Sequence, residues 1–331
     1  MHYIGECPAK AGHFFLTNSL ASLKFAASIP LMYSIAFHPK YIHPVPEGHR
    51  FPMLKYDLLP RQLVHSGIVR EAQFFEPGRV ALEHLYKVHD PFYVDRFVQL
   101  KLTLQEGRRI GFIQDQAIVE RELLLVQGTI DGTLHALKDG IAFNIAGGTH
   151  HASIAHGEGF CMLNDQAVAA RFLLDHTPVK KVLIIDLDVH QGNGTADIFE
   201  NSTEVFTFSM HGAANYPFHK SHSHLDVALE TGTTDETYLS VLADSLYQVG
   251  KQFQPDFICY QAGVDILEND KMGKLKCSLA ACMQRDRMVM EWARSLNVSI
   301  QCSMGGGYSP EIKTILDAHT NTYLVANELY C

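Results

Sequence analysis

The sequence predicts an α/β protein, a mostly parallel sheet flanked by helices. From about Ile29 onward, short apolar or β-branched runs alternate with longer segments of helical period. Each run gives way to polar or glycine-rich residues, and 331 residues at 47% apolar and 19% charged can bury a large core. In chain order, the Leu31–Phe37 run is the first strand, and Arg61–Glu71 the first helix, starting just past Pro60. Arg121–Leu137 has the helical period and leads into a strand at Ile141–Ile145, which ends at Gly147-Gly148. Asn164 is placed to cap a helix at Asp165–Asp175, ahead of the strands Val182–Asp186 and Val205–Ser209. Asp235 and Ser278 open helices at Asp235–Phe253 and Ser278–Leu296, and these alternate with the strands Phe257–Gln261 and Ser299–Met304. Six such strands suit one sheet.

Composition excludes several classes. Lys and Arg total 27 against 36 Asp and Glu, a formal charge of −9, which argues against direct nucleic-acid binding and leaves room only for a local basic patch. The seven cysteines lack the spacing of a disulfide scaffold, which points to a reducing, intracellular and cytoplasmic setting. Phe14 to Tyr33 is interrupted by Lys24 and Pro30 and should not span a bilayer. Its scarcity of acids leaves an organellar transit peptide open, although the arginines of one are missing. Residues 1–28 therefore read as a loosely attached extension and residues 29–331 as one catalytic domain. No feature of the sequence fixes the oligomeric state.

In open α/β sheets, ligands bind beyond the carboxyl ends of the strands. The chemically unusual residues gather there: Gly147–Ala152, Asp186–Gly194, Tyr260–Asp265 and Met304–Tyr308. Asp188 and His190 are two apart at a strand end, so their side chains share a side, with Asp186 beside them. Three buried polar groups there need a metal or a salt-bridged network to satisfy them. Asp265 would complete an Asp/His/Asp set with an open position, the pattern of a catalytic zinc. His150 and His151 sit in a glycine-rich loop, suited to proton exchange or simply to solvent, and Asp186 and Asn193 could orient them. Tyr308 follows three glycines and could offer a phenol O–H to an oxyanion or merely pack on the turn. Gly159-Phe160-Cys161 brings an aromatic to the same mouth, with Cys161 a buried small residue.

Together, Gly147–Ala152, Gly159–Asp165, Asp186–Gly194, Gly263–Asp265 and Gly305–Tyr308 resemble the zinc-dependent histone deacetylase superfamily in order and spacing. Asp186–Gly194, Tyr216-Pro217 and Asp265–Glu268 look most like its class IV branch and bacterial relatives. The resemblance implies an arginase/deacetylase-like three-layer sandwich. It also implies one zinc per chain on Asp188, His190 and Asp265, and a structural potassium at Asp186, Asp188, His190, Ser209 and Met210. The implied reaction is zinc-dependent hydrolysis of N6-acyl-lysine amides, acetyl or longer, in proteins or peptides. His151 would be general base and then acid, His150 would help position water, Asp186 and Asn193 would orient the two rings, and Tyr308 would hold the oxyanion. Gly159, Phe160 and Tyr216 would line the acyl-lysine tunnel. Three rivals stand beside this reading: a two-manganese ureohydrolase, which needs more carboxylates, a small-molecule amidohydrolase such as an acetylpolyamine deacetylase, and a silent acyl-lysine binder.

Overall fold

A computed structural model describes residues 33–331. The proposed extension at residues 1–28 lies outside them, as do Leu31 and Met32 of the first predicted strand. The sheet has eight strands, all parallel: β1 Ser34–Ala36, β2 Phe74–Phe75, β3 Ile141–Asn144, β4 Val182–Asp186, β5 Val205–Gly212, β6 Leu225–Leu229, β7 Phe257–Gln261 and β8 Ser299–Ser303. Their order is β2-β1-β3-β8-β7-β4-β5-β6. Strands β3, β4, β5 and β7 are buried at every residue, so both faces of the sheet are covered.

The helices are α1 Lys55–His65, α2 Leu82–Leu85, α3 Pro91–Val98, α4 Leu104–Ile110, α5 Gln116–Asp139, α6 Asp165–His176, α7 Asn193–Phe199, α8 Asp235–Gln252, α9 Leu279–Ser295 and α10 Ile312–Tyr330. The long α5 packs on α6 and on β1, β3 and β8, while α10 packs on α1 and α9. Asn164 and Ser278 cap α6 and α9, each accepting a backbone N–H with its side chain.

One predicted helix is misplaced. The segment Arg61–Glu71 is not helical throughout; α1 starts six residues earlier, runs through Pro60 and stops at His65. Tyr56, Leu59 and Leu63 form its buried face, and burying that stripe outweighs the hydrogen bond that Pro60 cannot donate. Gly67, with φ 70°, turns the chain away after the helix. The edge strands β2 and β6 are not among the predicted ones: β2 has only two residues, and β6 buries a single residue and carries the charged Asp226. No helix of the described residues is long and apolar enough to cross a membrane. Cys161, Cys259, Cys277, Cys282 and Cys302 are buried free thiols.

His89 ties the loop after β3 to the rest of the domain. Its Nδ1 lies 2.9 Å from the Ser153 carbonyl and its Nε2 accepts the Asn164 N–H at 3.0 Å, which fixes the neutral Nδ1–H form. Burial lowers its pKa to about 4, partly offset by backbone carbonyls. The unfolded chain, with an ordinary value near 6.5, binds the proton more readily, so this stability is full above about pH 6.5 and is lost as pH falls toward 4. Between pH 7 and pH 5 the loss attributable to His89 is expected to be about 2 kcal/mol. Urea midpoints of the wild type and His89→Gln at both pH values measure it: the wild type should lose that much more than the variant.

Candidate active site and metal centre

The carboxyl ends of β4, β7 and β8 meet at one point. Asp188 and His190 follow β4, Asp265 follows β7, and Gly305–Tyr308 follows β8. One ligand atom from each of Asp188, His190 and Asp265 lies within 4.8 Å of the other two, and all three residues are buried. His190 Nδ1 is 3.0 Å from Asp188 Oδ1 and 3.0 Å from Asp265 Oδ2. Burial alone would lower the His190 pKa, but the two carboxylates raise it to about 10, so the trio draws positive charge to its centre. Two hard carboxylates and one imidazole at that spacing fit a divalent cation such as zinc.

Backbone groups hold these ligands in place. Asp188 Oδ2 accepts the Gly306 N–H at 2.8 Å and Asp265 Oδ1 accepts the Val189 N–H at 2.9 Å. A Cβ at Gly306 would lie 2.2 Å from Asp265 Oδ2 and 2.7 Å from Asp188 Oδ2, so only glycine lets this turn close over the carboxylates.

His150 and His151 stand side by side, ring centroids 4.1 Å apart, but they are tethered differently. His150 Nδ1 is 2.7 Å from Asp186 Oδ2, and the charges of Asp186 and Asp188 overcome the cost of burial to raise its pKa to about 9. His151 Nδ1 is 2.7 Å from Asn193 Oδ1, while Asn193 Nδ2 donates to Glu158 Oε1 at 2.6 Å. A carboxylate only accepts, so the Asn193 amide orientation is fixed and His151 must carry its proton on Nδ1. Burial, then the neighbouring His150 and His190, push the His151 pKa well below the ordinary value and keep Nε2 free to accept.

Tyr308 enters the same cleft. Asp270 Oδ2 accepts its backbone N–H at 2.6 Å, and its ring meets His190 nearly edge-on at 6.2 Å. Among the described residues no protein group accepts its hydroxyl proton. Burial and the charges of Asp188 and Asp265 hold the phenol far above its usual range, so it stays a donor.

The cleft encloses about 190 Å³ and is lined by His151, Gly159, Phe160, His190, Tyr216 and Tyr308, with Met272 and three arginines at its rim. Gly159 and Phe160 both take positive φ, 55° and 68°, an uncommon state for a bulky residue that sends the Phe160 ring into the cleft. The Tyr216 ring meets His151 at 5.0 Å, almost perpendicular. Behind Tyr308 and His150 lies a smaller space of about 30 Å³. The structure thus brings together His150, His151, Asp186, Asp188, Asn193, His190, Asp265, Gly159, Phe160, Tyr216 and Tyr308. Ser209 and Met210 lie on the neighbouring β5, where Ser209 pairs in register with Asp186. Sequence reasoning missed Glu158, Asp270 and the rim arginines. Glu158 stood one residue before the Gly159 segment and was legible as a carboxylate beside it.

The Histone deacetylase domain family matches residues 49–323. An uncharacterized protein of Picosynechococcus sp. is 40% identical over 298 residues, covering 90% of this chain and 99% of that one. Histone deacetylase 2 of Arabidopsis thaliana is 29% identical over 291 residues, 85% of this chain and 75% of its own. A solved HDAC homologue complexed with SAHA superposes with a TM-score of 0.78 at 24% identity, covering 89% of this chain and 84% of that one. That last likeness is one of fold.

Proposed function

The chain belongs to the histone deacetylase family, a zinc-dependent family of amide hydrolases, and from that premise we propose that it hydrolyses the amide of N6-acyl-lysine in proteins or peptides. The observation that carries this reading is one cleft in which a buried Asp/His/Asp trio, two differently tethered imidazoles and an unpaired phenol O–H converge. Asp188, His190 and Asp265 would hold one zinc. When bound, zinc supplies a Lewis acid that polarises the amide carbonyl and makes water a better nucleophile at neutral pH.

The protein's own groups do the rest. His151 keeps its proton on Nδ1 against Asn193, so Nε2 takes the proton from the attacking water and returns it to the departing lysine amine. His150, bonded to Asp186, is placed to help position the water and to stabilise the charge that develops on the substrate. The Tyr308 hydroxyl donates to the oxyanion. Gly159, Phe160 and Tyr216 would flank the lysine stem and exclude water from it. A potassium at Asp186, Asp188, His190, Ser209 and Met210 belongs to the same proposal.

A ureohydrolase-like pair of metals finds too few carboxylates: the trio offers two, and the cleft lining offers none. The same lining gives a cationic acetylpolyamine nothing to pair with. The space of about 30 Å³ that Tyr308 and His150 help line is small, with room for an acetyl methyl rather than for a fatty chain. One lysine peptide carrying acetyl, octanoyl or myristoyl groups tests the reading with zinc-loaded protein. Cleavage is expected, fastest for acetyl by roughly tenfold or more; binding without cleavage of any of the three would leave a silent acyl-lysine binder.

A further inference from the structure

We propose that the cleft selects acyl-lysines flanked by acidic residues, with Arg50, Arg108 and Arg109 as the specificity-determining side chains; this rests on the acyl-lysine reading above. The formal charge of the chain is −9, so an arbitrary patch of its surface should be acidic. The rim of the cleft is the reverse: three exposed arginines line the same cavity as His151 and Tyr308, and no Asp or Glu lines it.

These arginines are also unspent. Among the described residues none of the three makes an ion pair or a side-chain hydrogen bond, whereas most of the other arginines pair with a carboxylate. Outside the Asp188/Asp265 pair, the neighbouring acids Glu158 and Asp270 are already committed to partners. Glu158 is bonded to Asn193, and Asp270 accepts the backbone N–H groups of Met272, Gly273 and Tyr308.

Arg108 and Arg109 are fixed relative to the site. They occupy the last turn of α4, which Gly111 ends, and the carbonyls of Arg109 and Ile110 accept the N–H groups of Gly159 and Phe160 at 3.2 and 2.7 Å. The cleft wall and the arginine pair are therefore joined backbone to backbone. Basic residues in a last helical turn also offset the helix dipole, but that accounts neither for Arg50, which lies outside any helix, nor for the convergence of all three on one opening. A guanidinium fork matches a carboxylate with two parallel N–H donors, so acidic side chains beside the acyl-lysine are the groups this rim can recognise. Lysine-rich tails and polyamines meet like charge there.

The test compares one acetyl-lysine peptide flanked on both sides by Asp, by Ala or by Lys, beside a capped acetyl-lysine amide with no flanks, on zinc-loaded protein. At ~50 mM salt the Asp peptide is expected to exceed the Lys peptide in kcat/KM by roughly tenfold or more, with Ala between. The ratio should shrink toward one at ~0.5 M salt, where screening shortens the reach of exposed charges. It should also collapse in the Arg108→Gln/Arg109→Gln variant. Equal or reversed rates at low salt, or a ratio that ignores the double substitution, would overturn the proposal. The flankless amide separates the two possible failures. If it is cleaved while Asp and Lys peptides react alike, the arginine proposal alone is wrong; if nothing is cleaved, the acyl-lysine reading falls and the proposal with it.

Discussion

Tyr308→Phe is expected to lower kcat by roughly 10²- to 10³-fold while KM changes only a few-fold. The substitution deletes one oxygen and keeps the ring, so the contacts with His190, Phe160 and Phe51 persist. The backbone bond to Asp270 persists as well. What disappears is a donor that no protein group accepts from among the described residues, and that is useful only when negative charge develops on the substrate oxygen. An interaction formed only in the transition state appears in kcat, not in KM. Steady-state kinetics on an acetyl-lysine peptide checks this. A loss confined to KM would instead make Tyr308 a wall of the binding site.

Asp265→Asn is expected to weaken zinc binding by roughly a hundredfold or more and to remove hydrolysis in parallel. The amide oxygen can still accept the Val189 N–H that Asp265 now accepts at 2.9 Å, so the turn should keep its shape. The anionic ligand is what is lost. Two readouts besides activity follow: zinc competition with a chromophoric chelator, and thermal unfolding with and without the metal. Wild-type protein should be stabilised by added zinc, by about 4 kcal/mol at a thousandfold excess over Kd, and the variant far less at the same concentration. Equal stabilisation of the two proteins would remove Asp265 from the ligand set.

The strands that position the site were legible because they are buried on both faces. Val182–Asp186 and Phe257–Gln261 are continuous apolar runs, and the structure keeps those bounds. Their polar termini stood out against the apolar background, which is why Asp186, Asp188, His190 and Asp265 could be picked from the chain. Elements made by packing rather than by pattern were harder to read. Helix α1 ignores the helix-breaking signal of Pro60, and α10, although it buries Ile315, Leu316, Tyr323 and Val325, went unassigned after the Gly305–Tyr308 turn. The positive φ of Phe160 and the resulting ring placement have no signature in composition.

Charge placement was the least legible feature. Arg50 and the pair Arg108-Arg109 are far apart in sequence, and nothing in either segment says that they open on the same cleft. Asp270 carries no local mark of its role either, since it anchors the Tyr308 backbone across 38 residues. Such groups become visible only when the fold has closed the distance.

On the proposed reading, one zinc held by Asp188, His190 and Asp265 supports amide hydrolysis of acyl-lysine in this cleft. The most direct measurement is a zinc titration of metal-stripped protein, followed by hydrolysis of an acetyl-lysine peptide. No turnover is expected without metal, and activity should rise linearly with added zinc and saturate at one equivalent. Turnover that survives complete metal removal, or that needs a second equivalent, would rule out a single catalytic zinc on this trio.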